Sequence, residues 1–99
     1  MPRPRICRRI RFMPEVTYFK PAGIRMIELR EVVLTFDEYE AVRLIDLEEI
    51  EQGKAGKMMK ISQPTLSRIL KSGRRKIADA IIHGKALKIE GGNYKFKQS

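Results

Sequence analysis

The chain has no tryptophan, one cysteine and one histidine. A lone cysteine, Cys7, excludes an internal disulfide, and a single histidine beside it argues against a zinc site built by one chain. Arginines around Cys7 could lower its pKa, but no base lies near it in sequence and His83 stands alone. Gly91-Gly92 precedes a strand-like stretch rather than a helix, so no glycine loop is placed to cradle phosphate. No enzyme and no cofactor are expected. No run approaches the ~20 apolar residues of a membrane span, and the start of the chain is charged without the apolar core of a signal peptide. These absences fit a cytoplasmic protein.

What is abundant is positive charge. Among 99 residues, 21 are Lys or Arg and 12 Asp or Glu, giving a net charge of +9. The length suits one domain of modest core, which a partner chain or a bound duplex would stiffen. The charges are segregated. Residues 1–30 hold eight basic and two acidic groups, residues 31–52 one basic and eight acidic, and residues 53–99 twelve basic and two acidic. Mere solubility would not sort them so. The pattern suggests one face toward a polyanion and an acidic segment turned away from it.

Residues 1–33 read as a basic arm and loop. Pro2 and Pro4 forbid a regular helix. Arg3, Arg5, Arg8, Arg9 and Arg11 suit an arm laid on phosphates or in a minor groove. Ile6, Arg8, Ile10 and Phe12 alternate as in a strand. The next stretch, VTYFKPAG, is loop or short strand, and IRMIELREVV is open between helix and strand. Residues 35–82 read as a helical core. Thr35-Phe36-Asp37-Glu38 is a capping box. The helix it opens carries Ala41, Leu44 and Ile45 on one stripe, and Glu40 and Arg43 are spaced to pair. A second helix spans about Glu51–Met59, with Met58 and Met59 as core filler. Gly56 suits a close helix crossing, whereas Gly53 has no evident use and weakens the helix start.

Lys60-Ile61-Ser62 forms a turn, with Ser62 as N-cap and Pro64 in the first turn of a third helix. Leu66, Ile69, Leu70, Gly73 and Ile77 share its inner face. Pro64, Arg68, Lys71 and Arg75 lie half a turn away, flanked by Thr65, Ser67 and Ser72. Gly84 ends the helix after His83. Residues 85–97 then read as a hairpin or wing across Gly91-Gly92.

Helix, tight turn and a longer helix with a cationic outer face are the layout of a helix-turn-helix. RxCRRIRFMPEVTYFKPAG at Arg5–Gly23, LTFDEYEAVRLIDLE at Leu34–Glu48, ISQPTLSRILKSGRRKIADA at Ile61–Ala80 and GKALKIEGGNY at Gly84–Tyr94 resemble a small prokaryotic family of uncharacterised proteins. That family is generally labelled predicted DNA-binding. The central part resembles, more loosely, region four of sigma factors. The resemblance implies a mainly α fold, a helix-turn-helix with a basic extended arm and a short C-terminal β-hairpin, and double-stranded DNA as ligand. The chain departs from the family at Gly53-Lys54-Ala55-Gly56, where relatives carry glutamates and alanines. It also has Lys60 where the turn usually has a glycine suited to a left-handed conformation.

Sequence-specific DNA binding by a transcriptional regulator is the preferred reading. Arg68 and Lys71 are the candidates for base edges, with Gln63, Thr65 and Ser67 near the helix tip and Ser72 flanking the same DNA-binding face. Arg74, Arg75 and Lys76 are assigned to phosphates, as are the arm residues Arg3, Arg5, Arg8 and Arg9. A homodimer is expected, because one helix reads few base pairs. The alternatives are an RNA-binding or ribosome-associated basic protein and a module that binds RNA polymerase through the acidic segment Asp37–Glu51. RNA readers stack bases on sheet aromatics, and here Phe12, Tyr18, Phe19, Tyr94 and Phe96 lie outside the basic helix.

Overall fold

The computed structural model describes residues 8–10, 14–92 and 94–96, the side chains of 8–10, 26 and 94–96 excepted. In chain order they form β1 (Arg8–Ile10), β2 (Tyr18–Phe19), a 3-10 turn (Met26–Glu28), β3 (Glu31–Leu34), α1 (Phe36–Val42), a π-helical continuation (Arg43–Leu47), α2 (Gln52–Met59), α3 (Gln63–His83), β4 (Ala86–Ile89) and β5 (Tyr94–Phe96). The architecture is mostly helical, with three α-helices and a small three-stranded sheet. IRMIELREVV holds both of the alternatives the sequence left open, the 3-10 turn and then β3. The VTYFKPAG segment supplies the short strand β2.

Local chemistry sets the helix ends. At the start of α1 the Thr35 N–H donates to Glu38 Oε1 at 2.9 Å, and the Glu38 N–H donates to the Thr35 hydroxyl at 3.4 Å. This is the reciprocal capping box expected from the sequence. α2 ends at Lys60, whose φ of 57° and ψ of 45° are left-handed. A lysine therefore adopts the conformation for which glycine is usually chosen. The Ile61 N–H then returns to the Gly56 carbonyl at 2.9 Å. A Cβ on Gly56 would lie 3.1 Å from the Ile61 carbonyl oxygen, so the turn itself requires the missing side chain. Ser62 caps α3 by accepting the Thr65 N–H at 3.3 Å, and Gly84 closes it in a left-handed conformation.

The helices enclose one apolar cluster of Ala41, Leu44, Ala55, Met59, Leu66, Ile69 and Leu70. Met58 packs against it partly buried, in keeping with core filling. α1 crosses α3 at Gly73, where a Cβ would lie 3.2 Å from Glu38 Cβ and 3.2 Å from Val42 Cγ2. A second cluster, Leu34, Phe36 and Ile89, joins the sheet to α1, with Ile77 of α3 packed on it.

The C-terminal hairpin expected from Gly91-Gly92 is not formed. β4 is the central strand of a sheet ordered β2-β4-β3, antiparallel to β2 and parallel to β3. β5 pairs instead with β1, in parallel. Both edges of β4 are thus occupied before the chain reaches the glycines. Gly91 and Gly92 have φ of 72° and 94°, and the Gly91 carbonyl accepts the Phe36 N–H at 3.0 Å. The glycines dock the chain on the start of α1 instead of folding it back on β4. Between the parallel strands β3 and β4 lies the whole helical core, as a parallel pair's crossover demands.

Candidate nucleic-acid interface

α3 is amphipathic along its length. Its inward residues Leu66, Ile69, Leu70 and Gly73 are buried, and Gln63, Pro64, Ser67, Arg68, Lys71 and Arg75 are exposed. Among the described residues, Arg68, Lys71 and Arg75 have no acidic partner; Arg68 makes one long hydrogen bond, Nη2 to Thr65 Oγ1 at 3.4 Å. From Arg68 to Arg75 is two helical turns, roughly 10 Å. Thr65 is half-buried and receives the Ser62 hydroxyl at 2.9 Å. Lys54, Lys57 and Lys60, on α2 and the turn, are exposed too.

The other cations of α3 are engaged within the chain. Arg74 donates to both carboxylate oxygens of Asp46, at 3.0 and 2.6 Å. The Arg74 guanidinium holds the Asp46 carboxyl below its ordinary range, and Asp46 in turn raises Arg74. The pair is solvent-exposed, so it contributes at most about 1 kcal/mol and can open toward another anion. Lys76 Nζ lies 2.8 Å from Glu38 Oε1, and the Ser72 hydroxyl donates to Glu38 Oε2. Burial pushes the Glu38 carboxyl up, but hydrogen bonds from Lys76, Ser72 and Thr35 outweigh it and leave the group below its usual value. Ser72 and Lys76 thus point at α1, while Arg68, Lys71 and Arg75 point to solvent. Arg3 and Arg5 lie outside the described residues, and Arg8 and Arg9 are described only as backbone of β1.

The acidic segment is not wholly turned away. Asp37 and Glu38 are buried at 7% and 6% exposure. With Thr65, Arg68, Ile69 and Ser72 they line a hollow of about 390 Å³ beside the cationic face. The reason is the Gly73 crossing, which draws the start of α1 against α3. There Lys76 pairs with Glu38, and the Thr35 hydroxyl donates to Asp37. The other exposed acids of the segment are Glu31, which precedes α1, and Asp46, Glu48, Glu49 and Glu51, which follow it.

The sequence had no signal for the anchoring of α3 by Glu38 and Asp46. Those pairs span 38 and 28 residues, beyond any local spacing rule. The buried Glu40–Arg43 contact at 2.9 Å was legible as an i,i+3 pair. Among the described residues no group of three or more His, Cys, Asp or Glu could hold a metal ion, and no helix is long and apolar enough to cross a membrane. His83 Nδ1 and Lys85 Nζ both contact Asp79, at 2.6 and 3.0 Å, where α3 ends.

Fold and site together define a small basic protein with two helices joined by a tight turn, the second presenting exposed cations to solvent. The chain belongs to the family described as protein of unknown function DUF134, whose model matches residues 1–97. It is 55% identical over 95 residues to a UPF0251 protein of Thermoanaerobacter pseudethanolicus, covering 96% of this chain and 80% of that one. It is 57% identical over 95 residues to a UPF0251 protein of Caldanaerobacter subterraneus, again covering 96% of this chain and 80% of the relative. A UPF0251 protein of Moorella thermoacetica is 55% identical over 94 residues, 95% of this chain and 63% of that one. No solved structure matches.

Proposed function

We propose that this protein binds double-stranded DNA sequence-specifically and regulates transcription, without enzymatic activity. α2, the Lys60–Ser62 turn and α3 are read as a helix-turn-helix of the kind found in region four of sigma factors, with α3 entering the major groove. One observation carries the reading: α3 buries Leu66, Ile69 and Leu70 and leaves Arg68, Lys71 and Arg75 exposed with no acidic partner among the described residues. Desolvating an arginine is favoured when guanine O6 and N7 replace its water in bidentate geometry. Arg68 and Lys71, with Gln63, Thr65 and Ser67 at the tip, take the base edges. Arg75 takes phosphate, joined by Arg74 once its exposed contact with Asp46 opens. Ser72 and Lys76 serve the reading indirectly, by fixing the orientation of α3 on Glu38.

Selection of bound duplexes from a random pool, followed by sequencing, tests this. A defined motif is expected, together with an affinity that falls with salt at a log–log slope of about −5 for about six phosphates. Recovery of unselected sequence, or a response flat in salt, would remove the reading. Competition by RNA as strong as by duplex DNA would favour an RNA-binding protein instead.

A further inference from the structure

On the side of α3 turned away from Arg68, Lys71 and Arg75, two apolar hollows of about 400 and 260 Å³ share Phe19, Ile77 and Leu87 and so form one trough. Its larger end is walled by Ile81 and Gly84, with Lys20 on the rim. Its other end is closed by Leu47. Phe19 at the middle is 52% exposed, and Leu47 and Ile81 at the ends 75% and 76%. Contiguous apolar surface of this kind on so small a chain is costly unless something covers it.

Size and charge both differ between the two ends. Leu47 is a knob. It ends the π-helical segment, just before Glu49 reverses the chain with a φ of 57°. Its neighbours are Asp46, Glu48 and Glu49. Arg74 engages the first and Arg43 the second, which leaves Glu49 exposed with no partner among the described residues. The Ile81–Gly84 end is the larger hollow, and Lys20 beside it is exposed with no acidic partner among the described residues.

We propose that the occupant of the trough is a second copy of this chain, related by a two-fold axis near Phe19. A two-fold interface is self-complementary: whatever one end offers, the other end must receive. Here each Leu47 enters the hollow at Ile81 and Gly84 of the other copy, each Glu49 meets the other Lys20, and the two Phe19 rings meet at the axis. The arrangement leaves the cationic faces of both α3 helices uncovered. It does not rest on DNA binding, and its test reads no DNA.

Sedimentation equilibrium of the full chain provides that test. The wild type is expected to be a dimer at about 100 μM, a concentration that saturates an interface of ordinary affinity. Lys20→Glu and Glu49→Lys each place like charges opposite one another at both contacts, and each is expected to weaken association at least tenfold. An equimolar mixture of the two variants restores the dimer, because each variant then meets its opposite at both contacts. Leu47→Asp dissociates it with the far-UV circular dichroism unchanged. A wild type that stays monomeric would give the trough to another occupant, a small apolar ligand or a different protein, and overturn the proposal. So would a mixture no better associated than its components, or a Leu47→Asp variant that remains dimeric.

Discussion

Glu38 joins three partners on two segments of the chain to one carboxylate: the Thr35 amide, the Ser72 hydroxyl and the Lys76 ammonium. Its pKa lies below the ordinary value, so the folded state gains stability from its ionised form. That gain is complete above the unfolded carboxylate range and disappears as pH falls through the lower folded value. Acid titration of the wild type and of Glu38→Gln should therefore show the variant less stable at neutral pH and the two curves converging in acid. Parallel curves would deny the anchor. Lys76→Ala should cost about 1–3 kcal/mol of unfolding free energy, since it takes a charged hydrogen bond from a buried carboxylate. Urea melts measure it. Arg68→Ala has no such structural debt. It should leave stability unchanged and cost about 1–3 kcal/mol of discrimination at one base pair of a selected site, read by binding to single-base variants of that site.

At the scale of elements, two glycines in helices are expected to behave oppositely. Gly73 sits where α1 and α3 touch, with backbone and Cβ of Glu38 within 3.4 Å of any added methyl. Gly73→Ala should destabilise by about 1–3 kcal/mol through overpacking. Gly53, in the first turn of α2, would meet only the far end of the flexible Glu51 side chain. Gly53→Ala should stabilise by up to about 1 kcal/mol through helix propensity. Thermal melts of the two variants should move in opposite directions. The start and stop of each helix were readable because the signals are local. Thr35 with Glu38, Ser62 before Pro64, and Gly84 after His83 each act within one turn of chain. Strand pairing was not readable in the same way. Gly91-Gly92 looks like a hairpin turn because the residues on either side alternate, but the partners of β4 are Tyr18–Phe19 and Glu31–Leu34, more than fifty residues earlier. Sheet register is decided by which edges lie nearby after the helices pack, and period-two alternation says nothing of that.

For the molecule as a whole, charge segregation along the sequence translated only in part into separate faces. The cationic face of α3 was legible from its 3.6-residue spacing, and Arg68, Lys71 and Arg75 are exposed as that spacing requires. Which cations would be drawn to acids was not legible, because Arg74 and Lys76 find Asp46 and Glu38 only after α1 lies across α3. The same crossing leaves the trough around Phe19 open on the opposite side. We assign one contact to each of these exposed faces, the cationic and the apolar, and the first of these is the central claim. The most direct test compares the wild type with Arg68→Ala/Lys71→Ala/Arg75→Ala on the duplex recovered by selection. The triple variant should melt like the wild type, lose sequence preference and bind the duplex with a much shallower salt dependence. A folded triple variant that holds the same duplex as tightly and as selectively as the wild type would contradict the assignment of α3 as the reading element.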